Sequence, residues 1–262
     1  MKSLCIFCLI LIIFTGCSSK DIYNINTGAQ YQEETLISDD ELFDEFEDDT
    51  NIKNIYDPFS GYNRFITDFN DKLYVYILKP VAKGYNVIVH YEIRKSVNNF
   101  FNNLSYPTRV VNNLLQIKFQ GASEETGRFV INSTIGILGL FDPAKNYFNL
   151  EAHEEDFGQT LGFYGVGSGP HIVLPLFGPS NLRDMISIIP DSYLSPIDYT
   201  DDRTKYVLTD TWPAYLGVRS YDFINEFSLN VDKYDRLKED SIDLYPYLRD
   251  IYEQHRDKQI KE

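Results

Sequence analysis

Three residues carry the side-chain types that a hydrolase combines as nucleophile, base and orienting acid: Ser168, His171 and Asp184. The serine of a nucleophile elbow needs a glycine two positions before it and another two positions after it. Here Val166 stands two positions before Ser168, and Gly169 follows it one position too early. The spacing therefore does not support acyl transfer at Ser168.

Two further motifs begin like known sites and then depart from them. Residues 165–170 start as the glycine pattern of a dinucleotide-binding turn, but Pro170 stands where the last glycine belongs. His153, Glu154 and Glu155 start as a zinc-protease motif, but no second histidine follows four residues after the first. We therefore predict that the protein is not an enzyme and that it has no catalytic residues, no cofactor and no metal site.

These residues lie in or near Phe157–Asp184, a stretch rich in glycine and proline that carries no charge between Asp156 and Arg183. Glycine allows positive φ and proline fixes φ at about −65°, so neither a long helix nor a central strand can pass through it. Its many large apolar side chains argue against disorder, and loops of this length are usually functional. We predict a shaped segment with a short β-hairpin around residues 165–176, suited to contacting lipid or lining a passage.

The N-terminus has the pattern of a secretion signal. The uncharged run Leu4–Phe14 spans roughly 16 Å at ~1.5 Å per residue, about half of a ~30 Å hydrocarbon core, so it fits a signal peptide better than a membrane-spanning helix. Thr15-Gly16-Cys17 follows directly and is similar to a bacterial lipobox; an ordinary signal peptide with a chance cysteine is the alternative. Because Cys5 and Cys8 lie in the run, the mature chain keeps only Cys17. We predict a lipid anchor at Cys17, since several acyl chains hold a protein stably on a membrane.

The net charge of −15 argues against a nucleic-acid partner. About half of this excess lies in residues 1–56, where eleven acids oppose three bases. We predict a disordered, solvated tether from Asp21 to Thr50, and a docking motif built on Leu42, Phe43 and Phe46 is the alternative. The predicted organisation is a signal peptide (1–16), a lipidated cysteine with an acidic tether (17–56), a helical domain (57–256) and a polar tail (257–262).

Apolar residues recur at three- and four-residue spacing along most of the chain after Asp57, which predicts amphipathic helices. Pro80 should interrupt the first of them, and Pro107 suits a first turn. The expected helices cover residues 62–89, 93–104, 107–121, 180–187 with Ser180 as N-cap, 204–233 with a break near Pro213, and 240–256. The uncharged run Ile135–Phe141 is either a buried core segment or an apolar lip at membrane depth. The predicted fold class is mainly α.

Together with the lipobox, several strings of the sequence resemble the MlaA (VacJ) family of outer-membrane lipoproteins. The match keeps its order over about residues 57–256. The matching strings include Asp57-Pro-Phe-Ser-Gly-Tyr-Asn-Arg64, Arg128-Phe-Val-Ile-Asn-Ser-Thr-Ile-Gly136, Asp156-Phe-Gly-Gln-Thr-Leu-Gly-Phe-Tyr-Gly-Val-Gly167, Leu182-Arg-Asp184 and Tyr245-Pro-Tyr-Leu-Arg-Asp-Ile-Tyr252. The acidic segment before residue 50 is not part of this pattern.

The resemblance implies a ring-like bundle of amphipathic helices lying in the inner leaflet of the outer membrane, at its periplasmic face, with an amphipathic pore. Such proteins remove mislocalised phospholipids from the outer leaflet and pass them to a periplasmic carrier, MlaC, which maintains lipid asymmetry. They also associate with trimeric porins. One alternative is a structural envelope lipoprotein that binds a porin or surface partner without moving lipid, and another is a lipid-modifying enzyme.

Two sets of residues are then site candidates. A lipid gate needs backbone freedom beside stiff positions, which predicts as hinge residues Gly165, Gly167, Gly169, Pro170 and Pro175. A tight turn is the alternative for these glycines. A headgroup phosphate pairs with arginine, which predicts Arg64, Arg128 and Arg183 as contacts. The alternative for each arginine is a structural ion pair, for Arg183 with Asp184 or Asp156.

Overall fold

The computed structural model describes residues 55–197 and 211–262, and in these ranges the chain is mainly helical with one two-stranded sheet, as the sequence predicts. The elements in chain order are α1 (Ser60–Leu73), α2 (Lys79–Ile88), α3 (Tyr91–Leu104), α4 (Tyr106–Leu115), α5 (Phe119–Thr134), α6 (Pro143–Phe148), α7 (Phe157–Phe163), β1 (His171–Leu174), β2 (Gly178–Asn181), α8 (Leu182–Leu194), α9 (Trp212–Leu229), α10 (Val231–Glu239) and α11 (Leu244–Lys261).

Pro107 starts a helix, as predicted, whereas the predicted interruption near Pro80 is only a π-helical turn in a chain that stays helical. A π-helical turn, Tyr74–Leu78, joins α1 to α2, and Pro80 lies in the first turn of α2. Pro107 lies in the first turn of α4, where the missing N–H of proline costs the helix nothing. The helix predicted to reach Gly121 is divided, because Ile117 has a left-handed backbone with φ 62° and α5 begins separately after it.

The loop 135–141 is held in a strained conformation. Ile137, Leu138 and Gly139 have left-handed backbones with φ 54°, 60° and 91°. Such a conformation costs a non-glycine residue roughly 1–2 kcal/mol, and hydrogen bonds from the N–H groups of Leu138 and Gly139 to carbonyls at the end of α5 hold it in place. A Cβ at Gly139 would lie 2.5 Å from that of Asn103, so only glycine lets the loop approach α3 this closely.

The hairpin lies later in the chain than the sequence analysis predicts. β1 pairs antiparallel with β2 in the register His171↔Asn181 to Leu174↔Gly178, so the hairpin covers residues 171–181 and not 165–176. Pro175 begins the turn between the strands. Gly165 terminates α7 instead, with φ 85° and its N–H donating to the carbonyl of Gly162. A left-handed glycine at this position is a common helix end.

β2 leads directly into α8, whose N-cap is Asn181 and not the predicted Ser180. Ser180 is paired with Ile172 in the sheet, whereas the side-chain oxygen of Asn181 accepts a 2.9 Å hydrogen bond from the N–H of Asp184. α8 also continues through Pro190 to Leu194, beyond the predicted end of this helix at residue 187.

The C-terminal helices differ from prediction at their ends. Pro213 lies in the first turn of α9, which begins at Trp212 in the described part of the chain. The predicted start at Thr204 lies outside the described residues. The last helix, α11, runs to Lys261, so the predicted polar tail 257–262 is helical up to its final residue.

The interior of the described chain is mostly polar. A small cluster of buried apolar residues, Ile66, Val173 and Tyr245, joins α1, β1 and α11. Among the described residues, the largest fully buried side chains are all polar: His171, Gln116, Gln159, Glu125, Asn63, Asn112, Asn113, Asn181 and Asn225. Within the same ranges, none of the helices combines the length and the apolar character needed to cross a membrane.

Candidate functional site

Large apolar side chains face outward along the first two helices. Phe65, Tyr76 and Val87 are 68%, 76% and 88% exposed. The same holds for other residues of α1, the π-helical turn and α2, namely Tyr62, Phe69, Val75, Ile77, Val81 and Ile88. Soluble proteins bury such side chains, because each buried one stabilises the fold by about 1.5–3 kcal/mol. A contiguous exposed surface of this kind marks a protein or membrane contact.

The loop 135–141 presents a second apolar surface and is not a buried core segment. Its exposed members are Ile135, Ile137, Leu138 and Phe141, with Leu138 at 66%. Other exposed apolar residues lie around the junction of α4 and α5 and at the hairpin turn, namely Leu114, Leu115, Ile117, Phe119, Leu176 and Phe177. We call these residues, together with the exposed apolar residues of α1, the π-helical turn and α2 named above, the apolar exterior.

Buried polar side chains hold the interior together, and Asn63 shows how. Its amide nitrogen donates to Asp57 Oδ1, the carbonyl of His171 and the hydroxyl of Tyr245 at 2.9, 3.0 and 3.2 Å. Its side-chain oxygen accepts from the N–H of Val173 at 2.9 Å. One fully buried amide therefore joins α1, β1 and α11, and satisfying its polar atoms avoids the penalty of about 1–3 kcal/mol for an unpaired buried group.

A polar cavity of about 50 Å³ lies between α3, α4, α5 and residues 142–154. Its lining residues are Asn99, Asn102, Asn103, Arg109, Arg128, Asn132, Asp142, Ala152 and Glu154. Asn103, Arg128 and Asn132 are buried and form its closed end, whereas Asn102 and Glu154 are exposed and place its opening at the surface. We call this space the polar cavity.

Each arginine of the polar cavity is paired with a carboxylate. Arg128 donates through Nη2 to Asp142 Oδ2 at 2.8 Å and through Nη1 to a backbone carbonyl, and Arg109 donates through Nε to Glu125 at 2.7 Å. Burial by itself would raise the pKa of Asp142, but hydrogen bonds from Arg128 and Asn132 outweigh it and hold that pKa below its usual range. Nε of Arg128 is buried and finds no acceptor in the described part of the chain.

The surface beside the opening is acidic. The side chain of Glu226 reaches solvent, but surrounding protein atoms displace part of its water, and this burial raises its pKa. The charge of Glu154 raises that pKa further, and the charge of Lys233 lowers it. Burial and the charge of Glu226 likewise raise the pKa of Asp222 to about 6, with Arg219 opposing the rise. The carboxylate of Glu154 at the opening therefore faces a second acidic group on α9.

Of the three arginines predicted to contact a headgroup, Arg128 is the one that lines the polar cavity. Arg64 Nη1 lies 2.6 Å from Asp243 Oδ2 at the surface, and its guanidinium carbon lies 5.2 Å from the centre of the Tyr245 ring. Arg183 is buried, and its Nε donates to Asp184 Oδ1 at 3.1 Å. Arg64 and Arg183 thus have the ion pairs that the sequence analysis gives as the alternative role.

The three candidate hinge glycines lie in the loop between α7 and β1. Gly165 and Gly169 have left-handed backbones with φ 85° and 72°, and no atom of a neighbouring residue stands where a Cβ of Gly165 or Gly167 would lie. A Cβ at Gly169 would come within 3.2 Å of Leu182 Cβ, and the carbonyl of Pro170 accepts a hydrogen bond from the N–H of Leu182. The loop therefore has open space beside Gly165 and Gly167, while the carbonyls of Val166, Ser168 and Pro170 accept hydrogen bonds from α8. Its hinge role stays a prediction.

The residues with hydrolase chemistry do not form a triad. His171 is fully buried, and its Nδ1 lies 3.1 Å from Glu253 Oε1. Asp184 is bound by Arg256, and the carbonyl of Ser168 accepts from the N–H of Arg183. The predicted lipid anchor, Cys17, lies outside the described residues.

Most residues of the polar cavity are not among the site candidates predicted from the sequence. Asn102 and Asn103 lie three and four residues after Asn99, and this spacing places the three side chains on one face of α3. That spacing was a readable signal for a polar face. Arg109 and Glu154 carry no comparable signal, because they reach the cavity from separate segments.

Comparison with known proteins identifies the family. The model of a family described as MlaA lipoprotein matches residues 55–259. An uncharacterized protein of Rickettsia felis is 32% identical over 92% of this chain and 86% of its own length. The intermembrane phospholipid transport system lipoprotein MlaA of Escherichia coli (strain K12) is 33% identical over 77% of each chain.

A solved structure supports the same conclusion. It is described as "Structural basis for maintenance of bacterial outer membrane lipid asymmetry" and is similar with a TM-score of 0.66 and 31% identity, over 78% of this chain and 98% of that chain. Because the family model, the sequence identity and the fold agree over the same helical region, this chain belongs to the MlaA lipoprotein family.

Proposed function

We propose that the protein takes part in intermembrane phospholipid transport as an outer-membrane lipoprotein. It removes mislocalised phospholipids from the outer leaflet through an amphipathic pore and passes them to a periplasmic carrier, which maintains lipid asymmetry. Its relative in Escherichia coli is named as the lipoprotein of an intermembrane phospholipid transport system. The similar solved structure is described as a basis for outer-membrane lipid asymmetry. These two names support the role.

The observation that carries the proposal is the inverted distribution of polarity. Phe65 and Phe177 are 68% and 79% exposed, whereas Asn112 and Gln116 are 0% and 1% exposed. In water the exposed apolar side chains contribute no hydrophobic stabilisation, and burying the amides costs desolvation free energy. In lipid the apolar exterior lies in its preferred solvent, and the polar interior offers a place for headgroups. We place the body in the inner leaflet for this reason, lipid-anchored at Cys17 on the periplasmic face.

The physics of the proposed activity is transfer between phases. Each CH₂ of an acyl chain that leaves the membrane for water costs ~0.8 kcal/mol, so a free phospholipid leaves slowly. A protein that offers apolar surface to the chains and polar groups to the headgroup lowers this cost without breaking a bond. The carrier MlaC and a trimeric porin are the partners that the family resemblance adds to this role.

Analysis of co-purified lipid tests the proposal. The full-length lipoprotein is purified from membranes in mild detergent and its bound lipid is extracted and analysed by mass spectrometry. Bound intact phospholipid supports the transport role. Absence of lipid favours a structural lipoprotein that binds a porin or surface partner, and enrichment of lysolipid favours a lipid-modifying enzyme; either result contradicts the proposal.

A further inference from the structure

The polar cavity contains hydrogen-bond donors that the protein leaves unused. Arg109 uses its Nε for Glu125, and its terminal nitrogens bond to no described residue. Within the described ranges, the side chain of Asn102 makes no hydrogen bond, and Nε of Arg128 is buried without an acceptor. Guanidinium and amide N–H groups are the donors that phosphate oxygens accept from. The cavity can therefore take a phosphate without losing a bond that holds the fold.

The same cavity has an unused acceptor at its opening. The carboxylate of Glu154 accepts no hydrogen bond from the described residues, although its backbone carbonyl accepts from Gln159. The other charges of the site are paired, Arg128 with Asp142 and Arg109 with Glu125. Among the residues that line the cavity, Glu154 therefore carries a negative charge without an ion-pair partner. A ligand with a phosphate alone meets that charge unfavourably, whereas a ligand that also carries a cation neutralises it.

We infer that the polar cavity binds the headgroup of phosphatidylethanolamine, with the phosphate at Arg109 and Asn102 and the primary ammonium at Glu154. The inference rests on the proposed function, because it names the lipid class that the proposed transport site holds. A cavity of about 50 Å³ admits about three or four water-sized groups, so it receives part of a headgroup and leaves the acyl chains outside.

Other common headgroups fit this site less well. The trimethylammonium group of phosphatidylcholine is larger and has no N–H to donate to Glu154. Phosphatidylglycerol carries no cation, so its negative charge lies close to Glu154 without compensation. The site is therefore selective by hydrogen bonding and by charge, and ethanolamine is preferred over choline and glycerol.

A competition experiment tests the inference. The full-length lipoprotein in detergent is incubated with equal amounts of dioleoyl phosphatidylethanolamine, phosphatidylcholine and phosphatidylglycerol, purified again, and its bound lipids are quantified. Wild type should retain ethanolamine over choline lipid by about tenfold relative to the input, because a charge-assisted hydrogen bond discriminates by about that factor. Glu154→Gln should lose most of this preference.

Two further variants keep the result interpretable. Glu151→Gln removes the same charge at an exposed neighbour outside the cavity and should keep the wild-type ratio. Asn102→Leu, also at an exposed position, should lower retention of all three lipids by weakening the phosphate contact.

The outcomes separate this inference from the proposed function. If wild type retains phospholipids in the input ratio, and Glu154→Gln retains them in the same ratio, the inference is overturned but the proposed function is not. Wild type that retains no phospholipid overturns the inference and the proposed function together. An equal loss of preference in Glu151→Gln overturns the inference as well, because it shows that net charge and not the cavity sets the ratio.

Discussion

Arg256 donates to both carboxylate oxygens of Asp184, through Nε to Oδ2 and through Nη2 to Oδ1, each at 3.0 Å. It also donates to both oxygens of Asp156, through Nη1 at 2.8 Å and Nη2 at 2.9 Å. Asp156 is the N-cap of α7 and Asp184 lies in the first turn of α8. One arginine of α11 therefore fixes the starts of the two helices that flank the glycine-rich loop and the hairpin.

Replacing Arg256 should strongly destabilise the fold. Arg256→Leu leaves Asp184 buried without its main partner, and breaking a buried pair from one side costs about 3–5 kcal/mol. Thermal or urea unfolding of the detergent-solubilised protein measures the loss. Arg236→Leu, at an exposed position of α10, is the matched control and should change stability by less than about 0.5 kcal/mol. Equal stability of the two variants would show that the Arg256 network is not important for folding.

Asp222 should make stability depend on pH. Its pKa in the folded protein is about 6, raised by burial and by Glu226, against about 3.9 in the unfolded chain. Its contribution to stability is therefore complete below about pH 3.9 and is lost as the pH rises through 6. Asp222→Asn should stabilise the protein at pH 7.5 by on the order of 1–2 kcal/mol, and the gain should vanish near pH 4. Asp68→Asn, at an exposed position, serves as control, and a gain independent of pH would contradict the prediction.

Gly165 and Gly169 should matter more than Gly167. Alanine at the two left-handed positions costs about 1–2 kcal/mol each, whereas Gly167 has an ordinary φ and open space. We expect Gly165→Ala/Gly169→Ala to fold, to fractionate with membranes and to bind the proposed porin partner as wild type does, but to fail in lipid handling, because the strain shifts the conformation of the loop. Gly167→Ala should behave like wild type. Outer-leaflet phospholipid and porin co-purification are measured together, and normal lipid asymmetry in the double variant would rule out the gate.

The loop 135–141 should contribute to membrane contact. Leu138→Asn suits the left-handed backbone, so folding stability should stay equal or rise. Loss of the exposed leucine, however, should weaken binding to phospholipid vesicles about tenfold or more, given the free energy of burying such a side chain. Vesicle sedimentation of the unacylated Cys17→Ser protein measures this, with Leu138→Met as the apolar control. Equal binding of both variants would mean that the loop does not touch lipid.

Cys17 should be necessary for localisation. Cys17→Ser removes the sole cysteine that the predicted mature chain retains, so the protein should stay in the periplasm or remain unprocessed and should not restore outer-membrane lipid asymmetry. Membrane fractionation and a complementation assay check this. Ser18→Ala keeps the cysteine and should behave as wild type. Full complementation by Cys17→Ser would contradict the need for a lipid anchor at Cys17.

The local elements and the family could be predicted from the sequence. Helical periodicity and the position of Pro107 predicted helices that the structure confirms, because the spacing of apolar residues and the missing N–H of proline act within one or two turns. The sequence segments that match the family keep their order from Asp57 to Tyr252, and they predicted the family that the comparisons show.

Pairing between distant segments decided what the sequence left open. Ser180 and Asn181 are both good N-caps by type, and only the pairing of Ser180 with Ile172 in the sheet leaves the role to Asn181. The polar cavity depends in the same way on segments that meet only in the folded chain. No local pattern connects Arg109 with Glu154, so the candidate headgroup site was found in the tertiary structure.

The direction in which the amphipathic helices face was also decided by tertiary structure. A helical period shows that two faces of α1 differ, but it does not show which face points inward. The sequence alone placed Tyr62, Phe65 and Phe69 on one face, and folding turned that face outward, with Phe65 68% exposed and Asn63 fully buried. The physical reason is that Asn63 finds partners on β1 and α11, 108 and 182 positions away, which satisfy its polar atoms in the interior.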